Sequence, residues 1–299
     1  MLDSINTAFS EIIMAKKDRQ PDLLSKLDKR ITNREFKLLL KPRGLDRRHR
    51  ITELQTEIHN LCEEQGLVFT SPETLNSGMR NIYFVDTMDS ALRRNKLILR
   101  VRESRREAWT DDWCEVTFKC RSEDIDRAWD LNPIPKTDIP FRIRFKEEIL
   151  KDGPIGSIRR LYSHNAMIDQ VPIERVPKRT LSALLPVFPG LAEVNLPFDQ
   201  KLRIVGNAKN KVLEACVTLG NIAFSDTVHA HCEIAIWFHT VGDPMVGELA
   251  FAYRVHKNNR KDIEAHRLAD AFFIKLQQFF AKDLALGTTK TAMMYGSKE

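Results

Sequence analysis

Residues 95–120 read NKLILRVRESRREAWTDDWCEVTFKC, and the fold turns on how this stretch alternates. With a period of two, Leu97, Leu99 and Val101 fall on one side of a strand, and Lys96, Arg100 and Arg102 on the other. Cys114, Val116 and Phe118 alternate in the same way with Glu115, Thr117 and Lys119, and the polar run between the two segments turns the chain back. The expectation is a β-hairpin with one apolar and one ionic face.

The same rule extends outward in both directions. In REFKLLLK (34–41), Glu35 and Lys37 oppose Phe36 and Leu38, and NIYFVDT (81–87) is a short strand that leads into the hairpin. Residues 141–149 set Phe141, Ile143 and Phe145 against Arg142, Arg144, Lys146 and Glu148. Three later strands, at about 211–219, 231–239 and 246–254, carry Glu214, His231, Glu233, Glu248 and Arg254 opposite apolar partners such as Leu213, Ile234 and Phe251. Two amphipathic helices are expected. One runs over 51–65 with Ile51, Leu54, Ile58 and Leu61 on one face, and one over 261–283 with Ala265, Leu268, Phe272, Leu276 and Phe279. Residues 1–30 read as a helical arm interrupted at Pro21. Residues 150–210 read as a connection: DGPIGSIRRL starts a short helix, and a Pro-rich run carries Arg175, Lys178 and Arg179.

Composition narrows the function classes. A chain of 299 residues with 42% hydrophobic and 29% charged residues buries a real core. No apolar run approaches the roughly 20 residues that span a bilayer, and the acidic start lacks a secretory cleavage pattern, so a cytoplasmic protein with no membrane partner is expected. The five cysteines show no CxxC pairing and read as small buried hydrophobes. A net charge of +6 points to an anionic partner. Nucleic acid is the less favoured choice, because the basic run KPRGLDRRHR (41–50) has no interleaved aromatics and reads as a solvated loop. No GxxxxGK[ST] loop, GxSxG elbow or kinase signature is present.

Strands that are half apolar and half ionic assemble in two ways. Their charged faces converge on a tunnel whose outside is covered by helices, or they face water around an apolar sandwich core. The density of Glu beside Arg and Lys on the same faces, where an exposed sheet would carry more Thr, Ser and Gln, favours the tunnel. Such an interior suits a chain of phosphates, with cations on the phosphate oxygens and a divalent metal between phosphate and carboxylate.

The order EFK, YFVDT, LRVRE, VTFK, an RxRxKxE strand and a late GELAFAY resembles the CYTH superfamily, the triphosphate tunnel metalloenzymes, over residues 33–255. The resemblance implies an α+β protein whose closed, eight-stranded antiparallel barrel has a charged interior and flanking helices. The tunnel domain would span 31–285, with 286–299 as a C-terminal tail. It implies metal-dependent hydrolysis of an inorganic, nucleoside or organic triphosphate with Mg²⁺ or Mn²⁺. The catalytic candidates are Glu35, Lys37 and Lys119. The phosphate contacts would be Arg100, Arg102, Arg142, Arg144 and Lys146, and the metal-side carboxylates Glu35, Glu233 and Glu248. The chain departs from the family's ExExK start, because Asn33 stands at the first Glu position and lowers the negative charge available to a metal.

Alternative readings stay open. A non-catalytic polyanion or nucleotide-binding module fits the Asn33 substitution, and a cyclase or polyphosphate polymerase would use the same tunnel. His229, His231 and Glu233 share a strand face and form a zinc-like ligand set without a fourth member. Trp109 and Trp113 flank the hairpin as packing residues or as a base-stacking pair.

Overall fold

The strand β1 (Asn33–Leu40) shows what the alternation does: Asn33, Glu35, Lys37 and Leu39 are half-buried on one side, while Arg34, Phe36, Leu38 and Leu40 are buried on the other. The computed structural model describes residues 28–106, 109–173, 179–205, 211–255 and 260–296. Of the helical arm expected over 1–30, residues 1–27 lie outside the described residues, as do Arg175 and Lys178, and residues 28–30 form a turn rather than a helix.

After β1 come β2 (Val68–Thr70), β3 (Ser77–Thr87), β4 (Leu97–Arg106), β5 (Trp109–Ser122), β6 (Phe141–Lys151), β7 (Ile158–Pro172), β8 (Leu202–Ile204), β9 (Val212–Ala223), β10 (His229–Thr240) and β11 (Asp243–Arg254). They form one sheet, ordered β2-β9-β10-β11-β1-β6-β7-β5-β4-β3-β8. An additional β3–β9 pairing joins its two sides, so strands ring a tunnel and β2 and β8 lie outside the ring. The expected α+β tunnel with a charged interior is present. Two details differ from the expectation: the ring contains β7 as an added strand, and β1 pairs with β6 in parallel while the other pairs are antiparallel. The long chain between β1 and β6 permits the parallel pairing, which no hairpin could make. β7 was hidden because the middle of its tunnel side carries Ser163, Asn165 and Met167 in place of charges, so no sustained ionic alternation marks it. The short helix expected at DGPIGSIRRL is instead the turn into β7.

The outer faces are covered from two sides. Helices α1 (Arg48–Glu64) and α4 (Arg260–Phe279) pack Leu54, Ile58, Phe272 and Phe273 onto Phe36, Leu38, Ile234 and Phe251. Each such side chain, taken fully from water, stabilises the fold by about 1.5–3 kcal/mol. Around β4, β5 and β7 the cover comes from the Pro-rich stretch read as a mere connection, whose Leu181, Leu184, Phe188 and Leu191 meet Leu99, Val101, Phe118 and Ala166. Two short helices, α2 (Ala91–Arg94) and α3 (Ile125–Asp130), complete this side.

The outward Arg34 is the exception to the apolar rule. It is fully buried, and it donates to Glu147 (2.6 Å), Asp270 (2.9 Å) and the Tyr253 hydroxyl (3.0 Å). This network ties α4 to β1, β6 and β11, and removing one member would leave an uncompensated buried charge. No helix among the described residues is long and apolar enough to cross a membrane.

The last segment matters for the site. Past α4 the backbone bonds to the end of β1, with the Lys41 amide donating to the Asp283 carbonyl (2.7 Å) and the Ala285 amide to the Leu39 carbonyl (2.9 Å). It then crosses one end of the tunnel and forms α5 (Lys290–Tyr295), capped by the Thr289 hydroxyl. The residues read as a tail thus pack against the barrel, where Met294 joins Ile82, Phe84, Ile98 and Trp237.

Candidate functional site

Two connected chambers fill the tunnel. The larger, about 610 Å³, is lined by nine Lys and Arg side chains and six Glu, so its wall is net positive. The smaller, about 370 Å³, lies under residues 285–291 and shares Lys37, Arg100, Arg102, Lys119, Glu148, Glu214 and Glu248 with it. Period-two alternation in eight ring strands delivers these charges to one space, which is why residues distant in sequence meet here.

Most of the predicted site residues come together. Glu35 and Glu148 stand in register across the parallel β1–β6 pair, and Lys37 bridges them at 3.0 and 3.4 Å. Lys146 meets Glu35 at 3.1 Å, and Lys119 meets Glu148 at 3.4 Å. Arg102 donates to Glu115 at 3.0 Å, and Arg100 to the Thr117 hydroxyl at 3.3 Å. Arg144 lines the larger chamber without a side-chain hydrogen bond or ion pair among the described residues. Arg142 stands at the rim, with its side chain 48% exposed, and donates to Asp169 at 2.7 Å.

The electrostatics follow from enclosure. Burial pushes the Glu35 carboxyl up, but Lys146 and Lys37 outweigh it and hold the group well below the usual carboxylate range. Glu148 is likewise held down, against burial, by Arg121, Lys119 and Lys37. Glu115 falls to about 2 because Arg102 and Arg100 overcome its burial. Two cations are lowered as well, toward their neutral forms, whereas Glu148 and Glu35 raise Lys37 against its burial. Burial lowers Lys119 to about 7, with Arg121 and Lys37 adding to the effect and Glu148 opposing it; burial and Arg102 lower Arg100 to about 10. Arg100 Nε and Arg102 Nε are buried and find no hydrogen-bond acceptor among the described residues. Arg121 Nε is in the same state, and so is one acceptor, Glu148 Oε2.

The three carboxylates expected on the metal side are spread along the tunnel. Glu233 lies near the rim, 40% exposed and 3.8 Å from His231, and Glu248 faces Lys290 (3.5 Å) at the end crossed by the C-terminal segment. Among the described residues no three His, Cys, Asp or Glu side chains form a group that could hold a metal by themselves. His229 turns its ring to the Asp226 carbonyl (3.1 Å), so the zinc-like set of His229, His231 and Glu233 does not form.

Sequence reasoning passed over Arg80, Arg121, Glu148 and Glu214 as site members, although each continues a readable alternation. Lys290 had no signal at all. It reaches Glu214 at 3.1 Å and lies 4.9 Å above the Trp237 ring.

Comparison with solved structures finds a protein from Hippeastrum, provisionally assigned as an adenylyl cyclase, with a dominant triphosphatase activity. The two are 11% identical over 90% of this chain and 97% of that one, with a TM-score of 0.44. Proteins of Bacillus halodurans (12% identity, 88% and 98% covered, TM-score 0.37) and Vibrio parahaemolyticus (10%, 87% and 97%, TM-score 0.33) are provisionally assigned as adenylate cyclases. These neighbours are adenylyl-cyclase-like and triphosphatase proteins. No protein-family model matches the chain, and no curated protein matches it.

Proposed function

We propose that the tunnel binds the triphosphate group of a small molecule and hydrolyses it with a divalent cation. One observation carries the reading: an enclosed, net-positive cavity in which the Nε atoms of Arg100 and Arg102 are buried without an acceptor among the described residues. Buried donors of this kind cost free energy until an acceptor arrives, and phosphate oxygens are the matching acceptors for guanidinium groups. Arg100, Arg102, Arg144 and Lys146 would hold the phosphate chain, with Arg142 at its outer end. Lys37 and Lys119, on either side of Glu148, would stabilise charge that grows on the phosphoryl oxygens in the transition state.

Glu35 and Glu148 fit a hard cation. They are oxygen donors on adjacent strands, both held ionised. Two carboxylates suffice for Mg²⁺, which completes its shell with waters and substrate phosphates rather than with an all-protein cage. When bound, the ion would neutralise phosphate charge and polarise the phosphoryl group.

A second reading, binding without turnover, is favoured by Asn33 and by the ion pairs that already engage Glu35 and Glu148. Calorimetric titration with tripolyphosphate and Mg²⁺, beside a phosphate-release assay, separates the two. The expected result is tight binding with phosphate release, and a Kd raised about ten- to a hundredfold in Lys119→Ala through loss of one charge-assisted contact. Binding without release leaves only the second reading. Absence of binding to both tripolyphosphate and ATP rejects the two readings together.

A further inference from the structure

At the rim β5 carries Trp113, two residues before Glu115 and on the same side of the strand as Glu115, Thr117 and Lys119. Its residue is 52% exposed, and its ring has no aromatic, cation or hydrogen-bond partner among the described residues. Two other tryptophans are engaged: Trp237 is buried and donates to Glu214, and Trp129 stacks on His164. Trp113 lines an open pocket of about 580 Å³ together with Ser104, Asp169 and Gln170, and the same pocket takes in Arg80, Arg102 and Glu115 from the tunnel wall. It therefore continues the phosphate row.

Asp169 and Gln170 owe their position to an irregularity. The β5–β7 register slips between Cys114 and Val116, and Gln170 adopts a left-handed backbone with φ of 56°. That conformation is unfavourable for a residue other than glycine, and a bulge in a strand re-aims the side chains around it. An exposed indole beside an amide, a hydroxyl and a carboxylate is a platform with edge-reading groups around it. We infer that Trp113 stacks an aromatic heterocycle attached to the triphosphate, so that the ligand class is an organic triphosphate of the nucleoside type rather than inorganic triphosphate. The inference rests on the reading of the tunnel as a triphosphate site. Stacking on an indole tolerates any base, and the Gln170, Ser104 and Asp169 side chains supply donors and acceptors for its edge.

The test is a pair of calorimetric titrations, ATP and tripolyphosphate, on the wild-type chain, Trp113→Ala and Trp113→Phe with the same Mg²⁺. Trp113→Ala should weaken ATP roughly 5- to 100-fold, leave tripolyphosphate within about twofold, and be largely rescued by Phe. Retained tripolyphosphate binding reports that the variant is folded. Stacking is overturned if Trp113→Ala leaves ATP unchanged, if it weakens both ligands equally, or if the wild type binds tripolyphosphate but not ATP. Failure of the wild type to bind either ligand overturns the tunnel reading itself, and this inference with it.

Discussion

The two ends of the tunnel are walled by the same strands but resolve their charge differently. At the end crossed by residues 285–291, Glu214 accepts from Trp237 (2.8 Å), from Lys290 (3.1 Å) and from Arg80, and Glu148 meets Arg121 at 2.8 Å. At the rim, the Arg144 side chain has no hydrogen-bond or ion-pair partner among the described residues, Arg142 pairs with Asp169 but is half in water, and the Trp113 ring is unengaged. The protein neutralises one end with its own cation and leaves the other for something else. Ionic side chains on a strand face do not by themselves make a site; the unmatched ones point to it.

The matched end depends most on Lys290. Lys290→Met keeps the length of the stem over Trp237 but removes the charge that Glu214 and Glu248 share, leaving Arg80, Trp237 and the Cys216 thiol on the first. Loss of one member of a buried ion pair costs about 3–5 kcal/mol, and the surviving partners of Glu214 put the expected loss near the lower figure. Urea unfolding at neutral pH measures it. An unchanged midpoint would mean that α5 does not hold its cation in the tunnel.

A smaller effect comes from the middle of the tunnel, where the matched and unmatched regions meet. With its pKa lowered to about 7 by burial, Arg121 and Lys37, Lys119 in the free protein is largely neutral at pH 8. The unfolded chain keeps the proton up to its ordinary value of 10.5, so the Lys119 penalty on stability is full below about 7 and is relieved as pH rises between the two. A phosphate alongside favours the ammonium form, so binding above neutrality takes up a proton. Affinity then falls with pH by up to about tenfold per unit, or about 1.4 kcal/mol. Calorimetry of tripolyphosphate near pH 8.5, in two buffers with different ionisation heats, should register uptake approaching one proton in the wild type and none in Lys119→Met. Proton release on binding would reverse the sign and reject Lys119 as a phosphate contact.

Much of this geometry was legible because the wall obeys a period of two. Leu97, Leu99 and Val101 turned out to be the outer face of β4, and Arg100 and Arg102 the inner one. The parts that escaped are those where charge does not mark the tunnel side. β7 presents Ser163, Asn165 and Met167 inward, and its polar His164 points outward to stack on Trp129, so the strand carried no ionic code. Lys290 escaped for a different reason: a lysine in a short terminal helix looks solvated, and only the path of the chain back from α4 carries it inside. Arg34 was equally opaque, since a cation on the apolar side of β1 is explained only by Glu147 and Asp270 arriving from β6 and α4.

The smallest effect sharpens the rim. Glu233 was expected beside Glu35 and Glu248 as a metal-side carboxylate, yet its only ionisable neighbour within ion-pair reach among the described residues is His231 at 3.8 Å, with both side chains about half in water. Exposed pairs of this kind contribute at most about 1 kcal/mol, because solvent screens them and ordering the side chains costs entropy. Glu35 and Glu148, by contrast, stand in register with Lys37 between them. If the cation sits at that pair, Glu233→Gln should shift stability by less than about 0.5 kcal/mol and leave the Mg²⁺ concentration needed for half-maximal tripolyphosphate binding unchanged. Glu35→Gln, measured in the same way, should raise that concentration about tenfold or more, since a neutral amide replaces one of two charged ligands. A tenfold rise in Glu233→Gln instead would move the cation toward the rim, and the division between a matched interior and an unmatched entrance would have to be redrawn around it.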